Sequence, residues 1–137
     1  MKILLLAHDK VGYNITNYLL NAYPKDLVLV ATLQKNEIFS HVEEMGYPVC
    51  VFESSEQLAS LCSEEVDLGI LAWWPNIINK YLLSLPKWGF INTHPSLLPY
   101  NRGKHYNFWA IVEEVPFGVT LHRVDLGVDT GDIIVQK

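Results

Sequence analysis

The residues with chemical potential fall in two short stretches of the sequence. Asn92 and His94 are separated by one residue at the exit of an apolar run. In extended backbone, alternate residues share a face, so both side chains point the same way. Further on, Asp125-Leu126-Gly127-Val128-Asp129-Thr130-Gly131-Asp132 is a loop between two apolar runs, with glycines that permit unusual dihedrals. An Asn, a His and an Asp, with no obviously activated Ser, Cys or Lys, suit direct attack of an amine on an acyl carbon. The Asn92 amide would donate to the oxygen of the tetrahedral intermediate, and a protonated His94 would add a second donor. Asp129 would hold the imidazolium and take up, through water, the proton the amine releases. Bland readings stay open: Asn92 as a turn cap, His94 as a satisfied buried histidine, the acidic loop as a plain connection. The loop does not complete an EF-hand, and the five histidines lack zinc-type spacing, so no metal is expected.

Those residues need a frame, and the apolar runs predict one. Strands are expected over 2–7, 27–33, 47–52 and 68–73, with a fifth starting at 90–92. Helical spacing marks 13–22, 37–45 and 77–83, and Ser54 or Ser55 caps a helix running to about residue 63. After Asn92 come a Pro-rich loop, a helix over 106–112 and strands over 118–124 and 133–136. Strands apolar on both faces and alternating with helices imply an α/β, doubly wound, mostly parallel sheet with helices on both faces. In such sheets ligands bind beyond the carboxyl ends of the strands, where Asn92 and His94 lie.

Bulk properties narrow the class. The 137 residues, half of them apolar and 18% charged, are read as one domain spanning 1–137 with a real core. A net charge of −5 without basic clusters gives no footprint for nucleic acid and favours a small-molecule partner. No secretory signal or membrane span is recognised, and Cys50 and Cys62 have neither metal nor redox spacing. Both are read as reduced core thiols, which suits a cytoplasmic protein. The chain stops straight after a strand, as a truncated or minimal form of a longer domain would.

Asn92-Thr93-His94-Pro95-Ser96-Leu97-Leu98-Pro99 followed by Arg102-Gly103, then Gly118-Val119-Thr120-Leu121-His122 and Asp129-Thr130-Gly131, resembles the signature of the folate-dependent formyltransferases. The resemblance implies their Rossmann-like fold, 10-formyltetrahydrofolate as co-substrate, and Asn92, His94 and Asp129 as the catalytic triad with His122 beside it. It places Trp74 and the backbone of Asn76 and Ile78 at the pterin pocket, with Trp73 as core filler or pocket wall, and Asp125 and Thr130 in a loop over the folate. The stretch carrying Arg102, Lys104, His105 and Tyr106 looks like that of sugar-nucleotide members, where it would face sugar and diphosphate. The acceptor implied is therefore the amine of a nucleotide-linked amino sugar, and a homodimer is compatible with this reading. Glycinamide ribonucleotide, or another amine, is the runner-up, because His8-Asp9-Lys10-Val11-Gly12-Tyr13-Asn14 makes a poor phosphate nest. The transfer-RNA members carry a second domain and a basic surface, which this acidic chain does not display. A folate-binding domain without turnover, or a plain interaction module, would be the reading from another class.

Overall fold

Runs without a polar face make strands that must be covered on both sides. In the computed structural model, which describes residues 1–137 with Asn107 excepted, β1 (Ile3–Ala7) and β2 (Leu27–Thr32) are buried at every position. Between and after them come α1 (Asp9–Ala22), α2 (Glu37–Glu44), β3 (Val49–Val51), α3 (Ser55–Leu61), β4 (Leu68–Ala72) and α4 (Lys80–Leu83). The remainder holds β5 (Phe90–His94), α5 (Tyr106–Val112), β6 (Thr120–Arg123) and β7 (Ile133–Gln136). Strand order is β3-β2-β1-β4-β5-β6-β7. The chain divides into two compact units, Met1–Phe90 and Ile91–Lys137.

In the first unit β1 pairs in parallel with β2 and β4, and β2 with β3. The core gathers Leu5 and Ala7 with Val30, Ile38, Val42, Leu19 and Leu20. Helix α1 reaches this sheet because Gly12 has no side chain: a Cβ there would lie 3.0 Å from the Ala72 carbonyl oxygen. Thr16, fully buried one turn later, satisfies its hydroxyl by donating to the Gly12 carbonyl at 2.7 Å. Asn36, Ser54 and Asn79 cap α2, α3 and α4, each accepting a backbone N–H from the first turn.

Several boundaries differ from the sequence reading, three of them by their local chemistry. Helix α1 starts at Asp9 rather than 13, since the Gly12 N–H already donates to the His8 carbonyl at 3.0 Å. Helix α4 starts only at Lys80, because the Asn79 cap leaves 77–79 outside it. Trp73 leaves β4 with a left-handed φ of 58°. Cys50 and Cys62 are free thiols but only half-buried, not core residues. Burial pushes the Cys50 thiol up to about 11, so it is protonated and unreactive at neutral pH.

The second unit is antiparallel: β6 pairs with β5 and with β7. Thr120 and His122 are buried while Arg123 is exposed, the alternation of a strand with one covered face. Strand β5 runs on through His94, which pairs with Thr120 across the ladder. Among the described residues, no helix is long and apolar enough to cross a membrane.

Candidate active site

Ladder register decides which side chains can meet. Asn92 lies directly opposite His122, and His94 is two residues further along β5. Period-two alternation therefore puts Asn92, His94 and His122 on one face of the β5–β6 ribbon. Among the described residues no hydrogen bond occupies the Asn92 amide, which leaves both its donors available.

Asp129 completes the group from the loop after β6. Its φ of 51° is left-handed, a conformation Asp tolerates better than most residues. One carboxylate oxygen, Oδ2, lies 3.4 Å from His94 Nδ1, and the other, Oδ1, 3.4 Å from His122 Nε2. Both separations are long for a charge-assisted hydrogen bond, and His122 Nε2 makes none, so these are ion-pair contacts rather than formed bonds. Oδ2 also accepts the Gly103 N–H at 2.8 Å. His94 and His122 are both buried. Burial opposes charge on His122, but the Asp129 carboxylate and the Arg123 carbonyl outweigh it and lift its pKa above the ordinary 6.5. Burial likewise opposes charge on Asp129, and His122, the Gly103 N–H and His94 more than offset it, holding the carboxyl below 3.8.

The far nitrogen of each ring is also engaged. His94 Nε2 lies 2.8 Å from the Asn101 carbonyl, and His122 Nδ1 lies 2.7 Å from the Arg123 carbonyl. A carbonyl only accepts, so each of these nitrogens carries a hydrogen. Neither nitrogen of His94 is thus free to donate to an oxyanion, as the sequence reading expected; here Asn92 alone of the two presents an open donor. The Tyr106 ring stands edge-on to His94 at 5.6 Å. The Asn101 carbonyl is held by bracing of its loop: Thr120 donates to the Ser96 carbonyl at 2.7 Å and accepts the Leu98 N–H at 3.1 Å. Gln136 in turn donates to the Leu98 carbonyl at 2.8 Å, next to the cis Leu98–Pro99 bond.

Other expected residues fare differently. Asp125 and Thr130 are tied to each other, the threonine hydroxyl donating to Asp125 Oδ1 at 2.6 Å, and the Gly127 N–H donates to the same oxygen at 2.9 Å. They close the loop on itself, and the Thr130 bond holds the Asp125 carboxyl below its ordinary value. Arg102, Lys104 and His105 are exposed, so of the four acceptor candidates only Tyr106 joins the His94 cluster. Trp74 is buried with its ring edge-on to Phe52 at 5.5 Å, a core contact, whereas Trp73 is the partly exposed member of the pair. Asn76 is exposed and Ile78 buried, in a segment outside helix and strand whose backbone groups can face a ligand. Sequence reasoning missed the carbonyls of Asn101 and Arg123 and the Gly103 N–H, since backbone groups leave no residue-type signal; only the glycine itself hinted at the last.

In the first unit, a cavity of about 760 Å³ opens past the carboxyl ends of β1 and β2. His8, Asp9, Lys10, Asn14, Gln34 and Glu37 are among its lining residues. The Asp9 carboxylate accepts the Lys10 N–H at 2.8 Å, occupying a donor at the start of α1. Two carboxylates and one lysine make this a mixed polar wall rather than an anion cradle.

Comparison with known proteins places this geometry. A family profile described as formyl transferase matches residues 16–137. Methionyl-tRNA formyltransferase of Agathobacter rectalis is 39% identical over 99 residues, which are 72% of this chain and 32% of that protein. The chain therefore spans about a third of the length of such curated relatives. Phosphoribosylglycinamide formyltransferase from Bacillus halodurans has the same fold, with a TM-score of 0.83 at 26% identity, over 100% of this chain and 78% of that one. A Mycobacterium tuberculosis protein described as a candidate sugar N-formyltransferase shares the fold at 24% identity, with a TM-score of 0.76 over 99% of this chain and 53% of that one. With nearly nine-tenths of its residues inside the matched region, and Asn92, His94 and His122 on one ribbon face with Asp129 beside them, this chain belongs to the formyl transferase family.

Proposed function

We propose that the protein transfers a formyl group from 10-formyltetrahydrofolate to a primary amine, that of a nucleotide-linked amino sugar. The observation that carries the reading is Asp129 bridging two imidazoles beside the open amide of Asn92. The amine nitrogen forms its new bond to the formyl carbon, and the bond from that carbon to the donor nitrogen breaks. Asn92 donates to the oxygen as negative charge develops on it. His94 and Asp129 accept, through water, the proton the amine sheds, and it is returned to the donor nitrogen as that bond breaks, so that tetrahydrofolate leaves with an N–H. The backbone of Asn76 and Ile78 would meet the pterin edge, and Tyr106 with the exposed Arg102, Lys104 and His105 would face the acceptor.

A second reading, methionyl-tRNA as acceptor, is favoured by the 39% identity to an enzyme of that name. It conflicts with the net charge of −5. The test is release of tetrahydrofolate, followed by absorbance, with a panel of amino sugar nucleotides, glycinamide ribonucleotide and methionyl-tRNA. Turnover with a sugar nucleotide is expected; turnover with the transfer RNA alone selects the second reading. Folate binding without turnover on any amine identifies a non-catalytic domain and overturns the proposal.

A further inference from the structure

We infer that His122 is a positioning residue that holds a resident proton: it stands as an imidazolium and keeps Asp129 ionised and in place beside His94. The argument is one of hydrogen accounting. In a neutral histidine only one ring nitrogen carries a hydrogen. The Arg123 carbonyl at 2.7 Å claims that hydrogen for His122 Nδ1, and the Asn101 carbonyl at 2.8 Å claims it for His94 Nε2. With both rings neutral, Nδ1 of His94 and Nε2 of His122 would each turn a bare lone pair toward a carboxylate 3.4 Å away. Two such contacts around one partly buried Asp are repulsive, so the cluster binds at least one further proton.

The two ends of Asp129 are not equivalent, and that places the proton. Oδ2 already accepts the Gly103 N–H at 2.8 Å. Oδ1 faces His122 Nε2, which is itself buried with no hydrogen bond formed. Protonating His122 supplies a donor to the oxygen that lacks one and satisfies a buried ring atom in the same step. The charged groups around the ring agree. Asp129 and Asp125 face it from the loop after β6, and His94 stands across the ladder on β5. Tyr106 on α5 packs on His94.

Nitrogen NMR of the histidine-labelled full chain at pH 7 tests this without substrate. Two protonated-type ring nitrogens are expected for His122, with reversion to one bare nitrogen in Asp129→Asn. A bare Nε2 in the wild-type protein overturns the inference. The kinetic arm rests on the formyl-transfer reading. In His122→Gln, Asp129 Oδ1 loses the donor that holds it, so kcat should fall while KM for the acceptor stays nearly unchanged. An unchanged kcat would overturn the inference. If no amine is formylated at any pH, the functional reading fails while the spectrum still decides the proton.

Discussion

Asn92→Ala removes an amide from the ribbon face shared with His94 and His122. The expected loss is about 10²–10³ in kcat, or roughly 3–4 kcal/mol, as where a single oxyanion donor is deleted elsewhere. Folate affinity, measured by calorimetry, should stay within a few fold, since Asn92 is not assigned to the pterin edge; equal loss of binding and turnover would contradict the assignment. The Asp129–His122 pair makes a second prediction, on stability. A lowered Asp129 value contributes stability above pH 3.8 that is lost as pH falls through the folded value. A raised His122 value contributes stability below pH 6.5 that is lost as pH rises through the folded value. The melting temperature gap between wild type and His122→Gln is thus expected to be widest between those limits and to narrow on both sides. A gap independent of pH would count against the pair. At this scale residue type and spacing only suggested Asn92, His94 and Asp129, and the resemblance to the formyltransferase signature singled them out. It could not reveal that both His94 nitrogens are occupied, because their partners are backbone and carboxylate atoms brought in by loops.

The loops, more than the strands, decide how tightly the site is held. Gly131 passes so close to β6 that an added Cβ would strike the Arg123 carbonyl, the same group that orients His122 Nδ1. Gly131→Ala should therefore lower the melting temperature and cut turnover together, and tilting of the His122 ring should appear as a changed Nδ1 proton signal. Turnover lost with the spectrum unchanged would sever that link. A milder test is Thr130→Val, which deletes the 2.6 Å bond to Asp125 and should raise the Asp125 pKa toward its ordinary value. Elements were readable in the fully apolar runs of β1 and β2, and the short α5 and β7 also fall where they were expected. Helix α4 was not, because Ile77 and Ile78 continue an apolar pattern while the Asn79 cap starts the helix after them. Asp125 and Thr130 could be placed in a loop, yet nothing in their spacing announced that they would bind each other.

Over the whole molecule, alternation of apolar runs with helical spacing was enough to give the parallel first unit, because strands buried on both faces have no other stable arrangement. The antiparallel second unit was less visible, since polar Asn92, His94, Thr120 and His122 break the apolar signal where function has claimed strand positions. Net charge, also a property of the whole chain, separates the two acceptor readings. Binding a polyanion through several basic contacts releases counterions, so affinity falls by about 10³–10⁵ between roughly 50 and 200 mM salt for 6–10 phosphate contacts. This chain carries 10 Lys and Arg against 15 Asp and Glu. A sugar nucleotide brings only a diphosphate, and Arg102 and Lys104 are the exposed cations nearest in sequence to Tyr106. KM for a sugar-nucleotide acceptor should accordingly rise only a few fold over that salt range, with kcat nearly flat. A steep rise in KM, on the scale of many phosphate contacts, would show that a nucleic acid backbone is gripped despite the acidic balance, and would move the acceptor to transfer RNA.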